Sequence, residues 1–200
     1  MLLPGDPGRA LRLAQQLLDA PKMLNHHRGL WGYTGGAADG APLTIQSTGL
    51  GGPSAAIVTE ELIALGARRF VRVGTCCALD ESVAAGDLLV AERVLARDGA
   101  SRALGAPEWV LPDAALTGAL AQSARPVAVV SHDLFYQRRA SEWRAAGALA
   151  AELEAAAVLT VAARHGVAAA CVLLAGRDEL DVDALHAGEL RLGRAAAAVI

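Results

Sequence analysis

Several features that would announce a chemistry are scarce or missing in this 200-residue chain. The three cysteines, Cys76, Cys77 and Cys171, show no metal-ligand spacing and leave one over from any pairing. A bridge between the adjacent Cys76 and Cys77 would close a strained ring, so all three are expected to be reduced thiols. Although 54% of the residues are hydrophobic, none of the apolar runs approaches the roughly 18 residues a membrane span needs. Met1 leads into an apolar strand with no basic n-region or signal-type h-region, so a cytoplasmic protein with no membrane partner is expected. A net charge of −3 provides no broad nucleic-acid footprint. Walker loop, nucleophile elbow, zinc box and EF-hand loop are all missing. The GLGGPS run from Gly49 to Ser54 is no dinucleotide fingerprint either, because its third glycine is absent and Pro53 occupies the turn.

What is present centres on Ser47 to Ala78. Gly49, Gly51 and Gly52 with Pro53 form a turn in which backbone N–H groups stand unobstructed. Ser54 reads as an N-cap, opening a helix whose apolar face carries Ile57, Val58, Leu62 and Leu65 and which Gly66 ends. A buried strand, Phe70 to Val73, carries a guanidinium at Arg72 and breaks at Gly74, turning Thr75 toward the same region. Guanidinium, hydroxyl and free amides converging on one place make an oxyanion site.

Around this stretch the chain alternates. Leu2 and Leu3 end a strand; Asp6 caps a helix, Pro7 suits its first turn, and Leu11, Ala14, Leu17 and Leu18 face inward. Arg9 lies in that first turn, and Arg28 sits in a Gly-rich hairpin or loop. His26 and His27 are adjacent, expected to point apart and to lie at the surface. Further strands are expected at 42–48, 87–94, 127–131 and 168–175. Trp143 to Arg164 reads as helical with an interruption near Gly147, so that Glu152 and Glu154 begin the helix after it; a last helix runs from Asp183 to Ile200. Strands separated by helices predict a three-layer α/β/α fold with a central mixed sheet, and no composition shift marks a boundary within residues 1–200.

STGLGGPS, EEL and RVGT resemble the nucleoside phosphorylase family, which includes the uridine and purine nucleoside phosphorylases. LPGDPGRA, DGAS with PEW, DLFY, EWRAAG and ELEAA extend the likeness through nearly the whole chain. The resemblance implies a single phosphorylase-like domain acting on a nucleoside and inorganic phosphate. It carries the phosphate ligands onto Gly5, Arg9, Arg72 and Thr75, with Arg28 lent to a neighbouring subunit. A homo-oligomer follows, a dimer or a hexamer built as a trimer of dimers. Ribose falls to Thr75, Leu153 (where the family has methionine) and Glu154, whose carboxylate can accept from both the 2′ and 3′ hydroxyls. The base pocket takes Cys77, Phe135, Gln137, Arg139 and Arg177. The catalytic set is Arg72, Glu154, Arg177 and Asp178.

The base divides the readings. Uridine phosphorylases follow Phe-Tyr with Gln-x-Arg, matched here by Gln137 and Arg139, and have an Arg at the last strand end, matched by Arg177. Purine enzymes place there an Asp that protonates N7, for which Asp178 is the candidate. Compared with the family, the N-terminal segment and the flap between Tyr136 and Trp143 are shortened, and Cys77 replaces a glycine. Gly29 stands where uridine enzymes carry an acidic monovalent-cation ligand, so neither a cation nor any other cofactor is expected. Phosphorolysis of uridine is the leading expectation. A purine-directed phosphorylase, a nucleosidase and a catalytically degenerate nucleoside-binding homologue remain the alternatives.

Overall fold

A computed structural model describes residues 1–136, 139–176 and 179–200. In chain order the elements are β1 (Leu2–Leu3), α1 (Pro7–Leu17), β2 (Asp19–Asn25), β3 (Gly32–Gly36), β4 (Pro42–Gln46), α2 (Gly52–Ala64), β5 (Arg69–Ala78) and β6 (Leu88–Arg97). There follow α3 (Gly99–Ala103), β7 (Trp109–Val110), α4 (Ala114–Leu120), β8 (Arg125–His132), α5 (Ala140–Ala145), β9 (Ala150–Glu152), α6 (Ala155–Arg164), β10 (Ala168–Ala175) and α7 (Val182–Ala197). One 3₁₀ turn, His27–Gly29, joins β2 to β3.

The sheet is organised on β5. Along its length β5 runs parallel to β10, from Ala168 opposite Arg69 to Ala175 opposite Cys76. It also meets β1, with Leu3 opposite Arg72, and beyond the end of β1 it meets β9, with Cys77 opposite Ala151. Strand β9 pairs with β8, β8 with β6, and β6 with β10, so these five strands and β5's two edges close into a ring. Of the remaining strands, β1, β4, β3 and β2 extend the sheet outward from β5, and β7 pairs with β6. A closed ring leaves no free edge within it.

Side chains alternate across β5, as strand geometry requires. Phe70 and Cys76 join a core with Val58 and Leu62 of α2 and Val158 and Leu159 of α6. Val71 and Val73 face the opposite core, with Leu13 of α1, Leu116 of α4 and Leu192 of α7. Helices on both faces make the three layers expected. The same alternation sends Arg72 to the α2/α6 side.

Local expectations hold unevenly. Asp6 accepts from the Arg9 N–H at 2.7 Å and Pro7 opens α1, but the side chains fully buried from α1 are Arg9, Ala10, Leu13 and Ala14, with Leu11 and Leu17 only partly covered. In α2 the N-cap is Gly51, not Ser54; Ser54 sits in the first turn and its hydroxyl donates back to the Thr48 carbonyl at 2.6 Å. Val58 and Leu62 are buried, whereas Ile57, about 100° around the helix from Val58, and Leu65, the C-cap residue just past α2, stay exposed. Strand β5 does not break at Gly74, because β10 continues to pair with it through Cys76. Residues 150–152 form β9 rather than helix, which places Glu152 at a strand end and Glu154 at the N-cap of α6. His26 and His27 are exposed as expected, but their rings stack at 4.8 Å instead of pointing apart.

Candidate active site

The site lies where the loops after β1, β4 and β9 converge on Arg72. Positive φ at Gly49 (75°) and Gly51 (85°) allows the β4–α2 connection to double back. This turn is stitched to the β1–α1 loop by Thr48 N–H to the Pro4 carbonyl (2.8 Å) and Gly49 N–H to the Gly5 carbonyl (3.1 Å). A Cβ on Gly5 would stand 3.2 Å from the Gly49 carbonyl oxygen, so the two loops approach too closely for most side chains there.

Arg72 is 3% exposed. Its Nε donates to Glu152 Oε2 at 2.9 Å, and its Nη2 pairs with Glu154 Oε2. Gly74 makes room for this arrangement, since a Cβ there would come within 2.8 Å of Nη2. The third nitrogen, Nη1, is buried without a hydrogen-bond partner among the described residues and lies on the Gly5 side, 3.8 Å from where a Gly5 Cβ would be. Burial acts to weaken this guanidinium, but Glu154 and Glu152 together outweigh it and hold Arg72 above the ordinary arginine range.

The two glutamates have different work. Glu152 accepts from the Ser131 hydroxyl and from the N–H groups of Glu154 (2.9 Å) and Ala155 (2.9 Å). Ser131 Oγ in turn accepts from Ala156 N–H at 2.9 Å. Three open donors of the first turn of α6 are thus satisfied without Glu154. Glu154 is left to reach across to the Gly-rich turn, where Oε1 accepts from Gly51 N–H at 2.6 Å. Burial pushes the Glu154 carboxyl upward, against the opposing pull of Arg72 and with a smaller push from Glu152.

Arg9 is buried beside this cluster, not solvated on the α1 surface. Nε donates to Glu189 Oε1 at 2.8 Å and Nη1 to the Val73 carbonyl at 3.3 Å, on the strand that carries Arg72 and Thr75. Thr75 is partly exposed, two residues beyond Val73 on the same strand. Gly5, Arg72 and Glu154 therefore lie together, Arg9 reaches the Val73 carbonyl on the same strand, and Leu153 is buried next to Glu154 in the chain. Arg28 is not among them: it is exposed in the turn between β2 and β3, at the outer end of the sheet.

The residues expected from sequence to meet the base are exposed where they are described. Phe135 and Tyr136 are 51% and 92% exposed and meet edge to face at 5.1 Å. Cys77 is exposed, while Cys76 and Cys171 are buried, where desolvation pushes both thiols well up. Arg139 precedes α5 and is paired on the surface with Glu142, Nη2 to Oε2 at 2.6 Å. Gln137, Arg177 and Asp178 lie outside the described residues.

Three participants were not singled out from sequence: Glu152 as the tether of Arg72, Ser131 behind it, and Glu189. A signal existed for Glu189. It falls on the repeating stripe Leu185, Gly188, Glu189, Leu192 and Ala196, where a carboxylate needs a partner.

Comparison with known proteins agrees with this geometry. A family model described as phosphorylase superfamily matches residues 1–199. A guanosine phosphorylase from Halorubrum lacusprofundi is 37% identical over 182 residues, spanning 86% of this chain and 75% of the relative. The uridine phosphorylase of Escherichia coli is 34% identical over 196 residues, with 86% and 77% covered. The crystal structure of uridine phosphorylase from Vibrio fischeri superposes with a TM-score of 0.89 at 28% identity, covering 98% of this chain and 89% of that one. With the Gly-rich turn, the buried arginine and the paired glutamates in one cluster, the chain belongs to the phosphorylase superfamily, among the pentosyltransferases of the nucleoside phosphorylase type.

Proposed function

We propose that this protein cleaves the glycosidic bond of a nucleoside with inorganic phosphate, uridine being the favoured substrate, and releases the free base and ribose 1-phosphate. The observation that carries the reading is Arg72: a buried guanidinium held by two carboxylates, with Nη1 beside Gly5 and without a partner among the described residues. A buried donor of this kind lacks an acceptor, and a phosphate oxygen supplies one. In this reading Gly5 N–H, Arg9, Arg72 and the Thr75 hydroxyl hold the phosphate and aim one oxygen at the ribose C1′. Positioning of that kind is a large part of such catalysis. Glu154 accepts from the 2′ and 3′ hydroxyls while positive charge develops on the sugar, and Leu153 packs beside it. The electrons of the broken bond leave with the base, where Arg177 stabilises a uracilate oxygen.

The base contacts are Cys77, Phe135, Gln137, Arg139 and Arg177. Arg139 would have to exchange its contact with Glu142, an exposed pair worth only about 0.2–1 kcal/mol, so that contact is no obstacle. The 37% identity to a guanosine phosphorylase supports a second reading, in which Asp178 protonates a purine at N7. Phosphate-dependent release of base from uridine, inosine and guanosine, with arsenate as a substitute nucleophile, separates them. Uridine is expected to be cleaved at least about tenfold faster, and Arg139→Ala to reduce uridine cleavage while sparing inosine. A purine preference together with collapse in Asp178→Asn reverses the choice of base. No cleavage of any nucleoside leaves a degenerate binding homologue.

The reading includes a homo-oligomer, a dimer or a trimer of dimers, in which Arg28 completes the phosphate site of a neighbouring copy. Arg28 is exposed and makes no ion pair among the described residues, and Met23 and Leu24 on the same hairpin are exposed apolar side chains. Light scattering at micromolar concentration is expected to give a multiple of the 20.5 kDa chain mass. A monomer would remove Arg28 from the site.

A further inference from the structure

We infer that Glu189, on the C-terminal helix, is a positioning residue of the phosphate site, acting through Arg9; this rests on the phosphorylase reading above. The carboxylate is 2% exposed and lies 180 residues from Arg9 in sequence. Its Oε1 accepts from Arg9 Nε at 2.8 Å, and its Oε2 accepts from Arg12 Nη2 and Nε at 2.6 and 3.0 Å. Arg12 is only partly covered, so it bridges the buried carboxylate toward solvent and keeps the second oxygen satisfied.

Two glycines bring the helix close enough for this contact. A Cβ on Gly188 would fall 2.8 Å from Leu174 Cδ2 on β10, and one on Gly193 would fall 2.4 Å from Leu13 Cδ2 on α1. Helix α7 is thereby seated against both β10 and α1, with Glu189 between the two glycines. Side chains at either position would hold α7 off and draw the carboxylate away from Arg9.

The consequence for Arg9 is geometric. A long arginine in the first turn of a helix has many rotamers, and ordering it opposes binding. Glu189 on Nε and the Val73 carbonyl on Nη1 settle the plane of the guanidinium before any phosphate arrives. Burial weakens the Arg9 cation, and Glu189 is the chief group acting against that loss. Arg72 has its own tethers in Glu152 and Glu154, so each buried arginine of the site is pre-set by carboxylates from a different element.

The test is calorimetric titration of inorganic phosphate into the wild type, Glu189→Gln and Glu189→Asp, with melting temperatures and separate KM values for phosphate and nucleoside. Glutamine keeps the volume and one acceptor but removes the charge and cannot accept from Arg12. Glu189→Gln is expected to raise the phosphate Kd and KM about tenfold, leaving nucleoside KM within about twofold. Glu189→Asp, which keeps the charge, is expected to fall between. A lower melting temperature with phosphate affinity unchanged or tighter would make Glu189 a structural residue only and overturn the inference. If Glu189→Gln does not fold, Glu189→Asp decides: weaker phosphate binding supports it and wild-type affinity overturns it. A wild type that binds no phosphate sinks the phosphorylase reading, and this inference with it.

Discussion

Replacing Arg72 with alanine is expected to reduce phosphate-dependent turnover by at least about 10²–10³-fold, the range measured when a single preorganised oxyanion donor is removed. The same change is expected to destabilise the protein. Glu152 and Glu154 are 1% and 5% exposed at their side chains, and each would lose its guanidinium. Breaking a buried ion pair by deleting one partner costs about 3–5 kcal/mol. Loss of activity in Arg72→Ala is therefore ambiguous by itself. Arg72→Lys resolves it, because lysine keeps the charge between the two carboxylates but lacks the planar fork that reaches Glu152, Glu154 and the Gly5 side together. Denaturant unfolding of Arg72→Lys should show most of the stability restored while turnover stays at least about a hundredfold down. Full phosphate-dependent activity in a folded Arg72→Lys protein would show that Arg72 serves the fold and not the phosphate.

The second large effect concerns Glu154. Glu154→Gln keeps an acceptor for Gly51 N–H but cannot accept from two ribose hydroxyls with a full charge, and it gives up the pair with Arg72. Hydrogen bonds to charged groups are worth about 1.5–3 kcal/mol each, so kcat/KM for the nucleoside is expected to fall about 10²–10³-fold. Stability is expected to fall as well, because the buried Arg72–Glu154 pair is broken and Arg72 keeps only Glu152. A structural defect would slow all substrates alike. Loss of a hydroxyl contact would instead erase the preference for a ribonucleoside over its 2′,3′-dideoxy analogue. Retention of that preference in Glu154→Gln would sink the ribose assignment.

Several elements could be read directly from residues because their causes are local. Asp6-Pro7 starts α1 through a side-chain cap and a proline that suits the first turn. The apolar run at 168–175 is β10 to the residue. Gly66, at φ 102°, ends α2 where a left-handed residue was required. The Gly49–Gly52 turn and the oddity of a charged Arg72 within an apolar strand pointed to a candidate oxyanion site, and Glu154 links the two by accepting from Gly51 N–H and from Arg72.

Other features depended on partners distant in sequence. Nothing local distinguishes a strand ending at Gly74 from one continuing to Ala78; the β10 and β9 pairings decide it, and with them the ring closure that brings Glu152 to Arg72. Residues 150–152 are alanine-rich and favour helix locally, yet they become β9 because ladders on β5 and β8 satisfy their backbone groups. Ile57 and Leu65 look like core and remain exposed, Ile57 because it lies off the buried stripe of α2 and Leu65 because it caps the helix beyond its last turn. From the residues alone Arg9 reads better as a solvated helix residue than as a ligand; only the seating of α7, with Glu189 between two glycines, makes it a buried and oriented cation. Residue types and turn chemistry alone determined the family likeness and pointed to the Gly-rich turn and Arg72 as the candidate site. Which carboxylate holds which guanidinium was decided by long-range packing, because ion pairing depends on distances that a linear chain does not specify.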